Sequence, residues 1–160
     1  MLNHTIDPVY DNHSKVLVLG SFPSVKSREQ QFFYGHKQNR FWRVMAQVLD
    51  CAVPESVEQK KTMLLTHHVA VWDVIASCEI TGSSDASIRD VVPNDLSRIL
   101  SHADIQVIYT NGSKAHQLYQ KYIYPVNGRE AHLLPSTSPA NAGYSLERLV
   151  EAWKVMREVL

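Results

Sequence analysis

Four short apolar runs recur along the chain: KVLVLG (Lys15 to Gly20), HVAVWDV (His68 to Val74), IQVIYT (Ile105 to Thr110) and AHLLP (Ala131 to Pro135). Their apolar positions are consecutive rather than alternating, which predicts strands covered on both faces. Between and after them lie helical patterns at Phe41 to Leu49, Val57 to His68, Asn94 to Ala103 and Ser113 to Tyr122. Asn94, after Pro93, reads as a cap. The strongest helix is Ser145 to Leu160, where Leu146, Leu149, Val150, Trp153, Met156 and Leu160 share one face and Ser145 caps the start. Strands alternating with helices predict an α/β fold built on a parallel sheet. In such a sheet ligands bind beyond the carboxyl ends of the strands. The loops there read GSFPS, IASCEITGSSDAS, NGSKA and STSPANAGY, all small and polar.

Length and composition narrow this picture. The chain has 160 residues, 44% hydrophobic and 20% charged, the profile of one globular domain spanning 1–160. No run reaches the ~18 apolar residues of a membrane helix. The start, MLNHTIDPVYDNHSK, lacks a secretory pattern, so a cytoplasmic place is expected. Cys51 and Cys78 are too few for a disulfide framework or a four-cysteine cluster and read as buried free thiols. The eight histidines show no metal-ligand spacing and read mostly as surface or capping residues. Net charge is zero, yet between Lys15 and Arg43 six cations face Glu29 alone, a local charge of six minus one, +5. A local basic patch is what phosphate contacts need.

Several chemistries are missing. GSFPS lacks the spaced glycines of a dinucleotide loop, and neither GxxxxGK[ST] nor GxSxG occurs. What remains is a set of amides, hydroxyls and aromatics, concentrated in FFYGHKQNRFW (Phe32 to Trp42). Ring faces and neutral donors and acceptors suit a flat heteroaromatic base. Phe32, Phe33 and Tyr34 supply faces and Asn39 a donor and an acceptor. Lys37, Arg40 and Arg43 are placed for phosphates. Phe41 and Trp42 read as core anchors at the start of a helix.

The segments Val16 to Trp42, Val69 to Ile88, Thr110 to Ala115 and His132 to Trp153 together resemble the uracil-DNA glycosylase superfamily, most closely its hypoxanthine-DNA (deoxyinosine) glycosylase branch. The resemblance implies a three-layer α/β/α fold around a four-stranded parallel sheet of order 2-1-3-4. It implies hydrolysis of the N-glycosidic bond of a deaminated base, most closely hypoxanthine, leaving an abasic site. Phe22 stands where many members carry an acidic or amide residue, and the catalytic part falls to Asn39. Gly20, Ser21, Phe22, Phe33 and Tyr34 are the expected base-binding residues. Lys37, Arg40 and Arg43, with Ser136, Ser138, Pro139, Ala140 and Asn141 of the loop pressed into the minor groove, are expected to hold DNA. No metal and no cofactor is implied. The partner is double- or single-stranded DNA carrying a damaged base, met by a monomer with no membrane association.

Cleaving this bond needs no nucleophilic side chain, since the base leaves as an anion while the sugar becomes cationic. Asn39 would serve through its amide as a donor to the departing base, or through its carbonyl by orienting water; a helix-capping asparagine is the structural alternative. Backbone amides of GSFPS would face position 6 of hypoxanthine and reject adenine. Three other functions fit the same residues: a mismatch-specific uracil-DNA glycosylase, a non-catalytic base-binding module, and a flavodoxin-like cofactor protein.

Overall fold

The computed structural model describes residues 1–160. Each apolar run becomes a strand. Val16–Gly20 (β2) is buried at every residue and lies between two parallel neighbours, Val69–Asp73 (β3) and Val107–Asn111 (β6), with Ala131–Leu134 (β7) beyond β6. The order β3-β2-β6-β7 is the expected 2-1-3-4. A fully buried strand must be apolar on both faces, and Val16, Leu17, Val18 and Leu19 supply this. The register aligns Gly20 with Asp73 and Asn111 with Leu134, so the carboxyl ends of the strands share one rim.

Right-handed crossovers fix the layers. From β2 the chain moves one way to β3 through Val25–Gln30 (α1), Phe41–Val48 (α2) and Val57–Thr66 (α3). It then returns across β2 to β6 through Ser97–Leu100 (α4), and continues to β7 through Ser113–Leu118 (α5). Reversing direction changes the covered face, which gives helices on both sides. The last helix, Leu146–Trp153 (α7), packs on α2, where Phe41 meets Trp153 edge to face at 5.9 Å. The Trp153 indole N–H donates to Pro135 O at 3.0 Å, tying α7 to the end of β7.

Several elements differ from the sequence reading. The stretch after Val74 is not all loop: Ile75–Glu79 (β4) pairs antiparallel with Arg89–Pro93 (β5) and with the N-terminal Leu2–Asn3 (β1), a second small sheet. Asn94 does not cap a helix. Its Nδ2 donates to Asp73 O and Ile75 O, and α4 shrinks to a single turn. Residues Tyr119–Ile123 widen from α into π geometry, leading into a further turn, Tyr124–Asn127 (α6). The final helix tightens to 3₁₀ after Trp153, while Ser145 caps its start as expected, accepting from Arg148 N at 3.2 Å. No helix is long and apolar enough to cross a membrane. Cys78 is buried and Cys51 half-buried; neither is bridged.

Candidate active site

The strand-end rim closes around a cavity of about 160 Å³. Gly20, Ser21, Phe22, Phe33, Tyr34 and Asn39, drawn from two separate segments, all line it. Ser136, Ser138 and Pro139 form its opposite wall. Ala140 and Asn141 instead face an adjoining depression beside Lys114.

The first loop is shaped by its capping chemistry. Ser24 accepts from Ser27 N at 3.1 Å and starts α1, which turns the chain sharply after β2. The backbone N–H groups of Ser21, Phe22 and Ser24 donate to no protein acceptor, and all three residues line the cavity. Gly20 is required by space. A Cβ there would overlap Asp73 Oδ1 and lie 3.0 Å from the Tyr34 hydroxyl.

Tyr34 adopts a left-handed backbone, φ 52°, and its ring stacks on Phe41 at 4.1 Å. Its hydroxyl is buried without a hydrogen-bond partner. Burial, followed by the Asp73 carboxylate, pushes its ionisation far above the usual phenol range. It is therefore a neutral donor. The Asn111 amide beside it is committed to Thr137, donating to Oγ1 and accepting from N, both at 3.0 Å.

Asn39 has two structural bonds, both to the same atom. Its Oδ1 accepts from Phe41 N at 2.9 Å, satisfying the first turn of α2, and from Thr137 Oγ1 at 2.8 Å. Because a backbone N–H can only donate, the oxygen must occupy this position. The amide nitrogen makes no bond within the protein and is left to the cavity that Asn39 lines. The capping role and a donor role thus coexist in one side chain.

Arg40 corrects an expectation. Placed from sequence at the phosphates, it is half-buried and donates to the carbonyls of Tyr144, Ser138 and Asn141, while its own N–H donates to Thr137 O. It braces the 138–144 loop against the start of α2. Arg40→Lys, which cannot reach three diverging carbonyls, is expected to lower the melting temperature and slow any reaction in the cavity, without changing the salt dependence of DNA binding. Isothermal binding across a salt series, with melting of the same variant, checks this. Lys37 and Arg43 are exposed and unpaired, with Lys37 beside Lys26 and His36.

Sequence reasoning missed two carboxylates. Asp73 ends β3, is only 3% exposed, and accepts from His4 Nε2 at 2.8 Å. An acidic residue closing an apolar run was the available signal. His4, one of eight histidines read mostly as surface or capping residues, has its side chain buried among Phe22, Phe33 and Trp72. Asp85, at the cavity mouth, accepts from Ser21 Oγ at 3.1 Å. Partial desolvation raises its carboxyl above the usual range, opposed by the Ser21 hydroxyl and then Lys114. No group of three or more His, Cys, Asp or Glu side chains is placed to hold a metal.

A parallel sheet of this order, with a polar cavity of amides and rings at its carboxyl rim, defines an α/β protein whose candidate ligand site lies at the strand ends. The family model of the uracil DNA glycosylase superfamily matches residues 8–157, and the chain belongs to that superfamily. It is 32% identical over 159 residues to a hypoxanthine DNA glycosylase of Methanosarcina acetivorans, covering 98% of this chain and 99% of the relative. A hypoxanthine DNA glycosylase of Methanosarcina barkeri is 28% identical over 136 residues, covering 84% and 85%. A solution NMR structure from Methanosarcina acetivorans, assigned provisionally to the uracil DNA glycosylases, superposes with a TM-score of 0.81 at 31% identity and 96% coverage of both chains.

Proposed function

We propose that this protein is a monofunctional DNA glycosylase that hydrolyses the N-glycosidic bond of deaminated bases in DNA, hypoxanthine foremost, and leaves an abasic site. The relatives' activity and the family supply the reaction class. The observation that carries the mechanism is the asymmetry of Asn39: an amide whose oxygen is doubly bonded inside the protein and whose nitrogen faces the cavity.

The extruded nucleotide enters beside Phe22, and the base departs with negative charge. An Asn39 Nδ2–H donor aimed at it stabilises that charge only as it develops. Such a preorganised donor is worth roughly 3 to 4 kcal/mol in a water-excluded site. The carbonyl, already occupied, has no capacity to orient water. The free amides of Ser21, Phe22 and Ser24 suit the oxygen at position 6 of hypoxanthine and oppose the amino group of adenine. Unstacking costs a few kcal/mol, least for a mispaired base. Pressing Pro139 and Ala140, exposed at the loop tip, into the minor groove offsets it. The enzyme works as a cytoplasmic monomer of one domain, without metal or cofactor.

Binding should depend moderately on salt. Alanine at Lys37 or at Arg43 is expected to weaken binding to all duplexes alike and to reduce the slope of log K against log salt by about 0.9 for each phosphate that is no longer neutralised. A salt titration by fluorescence anisotropy measures it. A change in base preference would instead place those side chains at the base. The functional assay is strand scission by alkali after incubation with duplexes carrying one inosine, uracil or xanthine. Scission at inosine above the others supports the reading. Scission at uracil alone would transfer it to the mismatch-specific uracil type.

A further inference from the structure

The proposed mechanism leaves one reactant unheld. Hydrolysis adds water to the sugar, yet the Asn39 carbonyl is occupied and the Phe22 ring carries no polar atom. A general base must come from the ionisable side chains that line the cavity, which are Tyr34, His36, Asp73 and Asp85. Three of them are committed elsewhere. Tyr34, buried beside Asp73, keeps its proton. His36 Nδ1 accepts from Gln38 N at 3.1 Å, which leaves Nε2 as the protonated nitrogen of the neutral ring and therefore a donor. Asp73 is only 3% exposed, with Oδ2 taken by His4 and Oδ1 packed against Gly20. Asp85 differs from all three. It is open to solvent, its Oδ1 accepts from Ser21 Oγ at 3.1 Å, its Oδ2 has no protein partner, and no ion pair neutralises it.

The place of Asp85 is built by its neighbours. It opens a 3₁₀ turn, Asp85–Ser87, in which Ser87 Oγ donates to Ser84 O at 2.7 Å and accepts from Thr81 N at 2.8 Å. Two bonds fasten this segment to α1: Val25 N donates to Ser83 Oγ at 2.9 Å, and Arg28 donates to Gly82 O at 2.6 Å. Asp85 lines both the cavity and the depression along the 136–144 loop, as Ser136 and Ser138 do, whereas Asn39 lines the cavity alone. The carboxylate therefore stands on the threshold between the two. A base held beside Asn39 is joined to its sugar across that threshold, because the sugar stays attached to the strand. An unpaired anion at a mouth that meets DNA opposes phosphate binding, so its presence there calls for another use.

We propose that Asp85 is a catalytic residue that holds the attacking water at the threshold of the cavity and accepts its proton. This rests on the glycosylase reading above. As the bond between C1′ and the base nitrogen breaks, its electron pair leaves with the base toward Asn39 Nδ2. The water oxygen bonds to C1′, and one water proton passes to Asp85 Oδ2. That proton returns to solvent while the base anion takes one up, so the sum is one water consumed, one free base and one abasic sugar. The same negative charge faces the sugar while it is cationic. Partial desolvation, opposed by the Ser21 hydroxyl and then by Lys114, raises the Asp85 carboxyl and makes it a stronger proton acceptor than an ordinary aspartate.

The test measures single-turnover excision of deoxyinosine at saturating protein, across pH, for wild type, Asp85→Asn and Asp85→Ala. The wild-type rate should fall as pH drops through the raised ionisation of Asp85, because the protonated acid cannot accept a proton. The charged groups that face Asp85 are Lys114 of α5 and Asp73 of β3, with Arg28 of α1 reaching Gly82 O, and His36 and Tyr34 line the same cavity. An acid limb due to any of these would persist without Asp85. Asp85→Asn keeps an acceptor for Ser21 Oγ, so it should melt near wild type and bind a duplex carrying non-cleavable 2′-fluorodeoxyinosine at least as tightly. It should excise at least about 100-fold more slowly and lack the acid limb. Asp85→Ala, which also drops the Ser21 bond, should excise within about threefold of Asp85→Asn, since both lack the base. An asparagine variant within about threefold of wild type, or one that keeps the acid limb, would overturn the proposal. So would a loss confined to the alanine variant, which would assign Asp85 to fastening the first loop. Failure of wild type to release hypoxanthine, uracil or xanthine would overturn the glycosylase reading itself.

Discussion

Asn39→Asp is expected to fold like wild type and to release hypoxanthine at least about 10²-fold more slowly, a loss of roughly 2.7 kcal/mol of transition-state stabilisation. A carboxylate reproduces both acceptor bonds made by Oδ1, to Phe41 N and to Thr137 Oγ1, so the start of α2 and the 136–142 loop stay in place. What changes is the atom facing the cavity. A donor becomes an anionic oxygen beside a base that is itself becoming anionic. Asn39→Ala removes the same donor but also strands the Thr137 hydroxyl and the Phe41 N–H. It should therefore combine a similar kinetic loss with about 1 to 2 kcal/mol of lost stability. Melting curves and single-turnover rates on both variants separate the contributions. An aspartate variant as active as wild type would assign Asn39 to positioning water or to capping alone.

Gly20→Ala is expected to be nearly as damaging, although it adds one methyl group. The new Cβ would overlap Asp73 Oδ1 and crowd the Tyr34 hydroxyl, and neither side chain can swing aside: Asp73 is held by His4, and Tyr34 is stacked on Phe41. Overpacking of this kind costs typically 1 to 3 kcal/mol. Displacing both polar groups should also lower excision by at least about tenfold. Thermal unfolding and excision rate on the purified variant report the two effects. Wild-type values for both would mean that the strand end yields and that the cavity is not rigid there.

The parts of this molecule that were legible in the sequence were those in which one segment determines its own environment. A run such as VLVLG, short, rich in valine and ended by glycine, reads as a strand covered on both faces, and four such runs with helices between them point to a parallel sheet. The antiparallel ladder of β1, β4 and β5 was hidden, because Ser77 and Glu79 interrupt the apolar pattern of β4 and one partner strand has only two residues. Helix 94–103 failed for a related reason: Asn94 was needed by the carbonyls of Asp73 and Ile75, a demand that local capping preference cannot anticipate. The residue types around Asn39 pointed to a base-binding segment, but which amide atom is available depends on Thr137, 98 positions away. Arg40 is indistinguishable in sequence from its phosphate-facing neighbours; the carbonyls that consume it lie 98 to 104 positions on. His4 and Asp73 are 69 apart and share no pattern at all.

The most direct measurement of the central claim is the identity of the released product. Incubating an inosine-containing duplex with wild-type protein in single turnover, then separating small molecules from DNA for mass spectrometry, should yield free hypoxanthine. One molecule should appear per abasic site, and the DNA backbone should stay intact until alkali is added. Retention of the inosine in unbroken DNA that the protein nevertheless binds, or strand cleavage with hypoxanthine still attached to its sugar, would contradict the account.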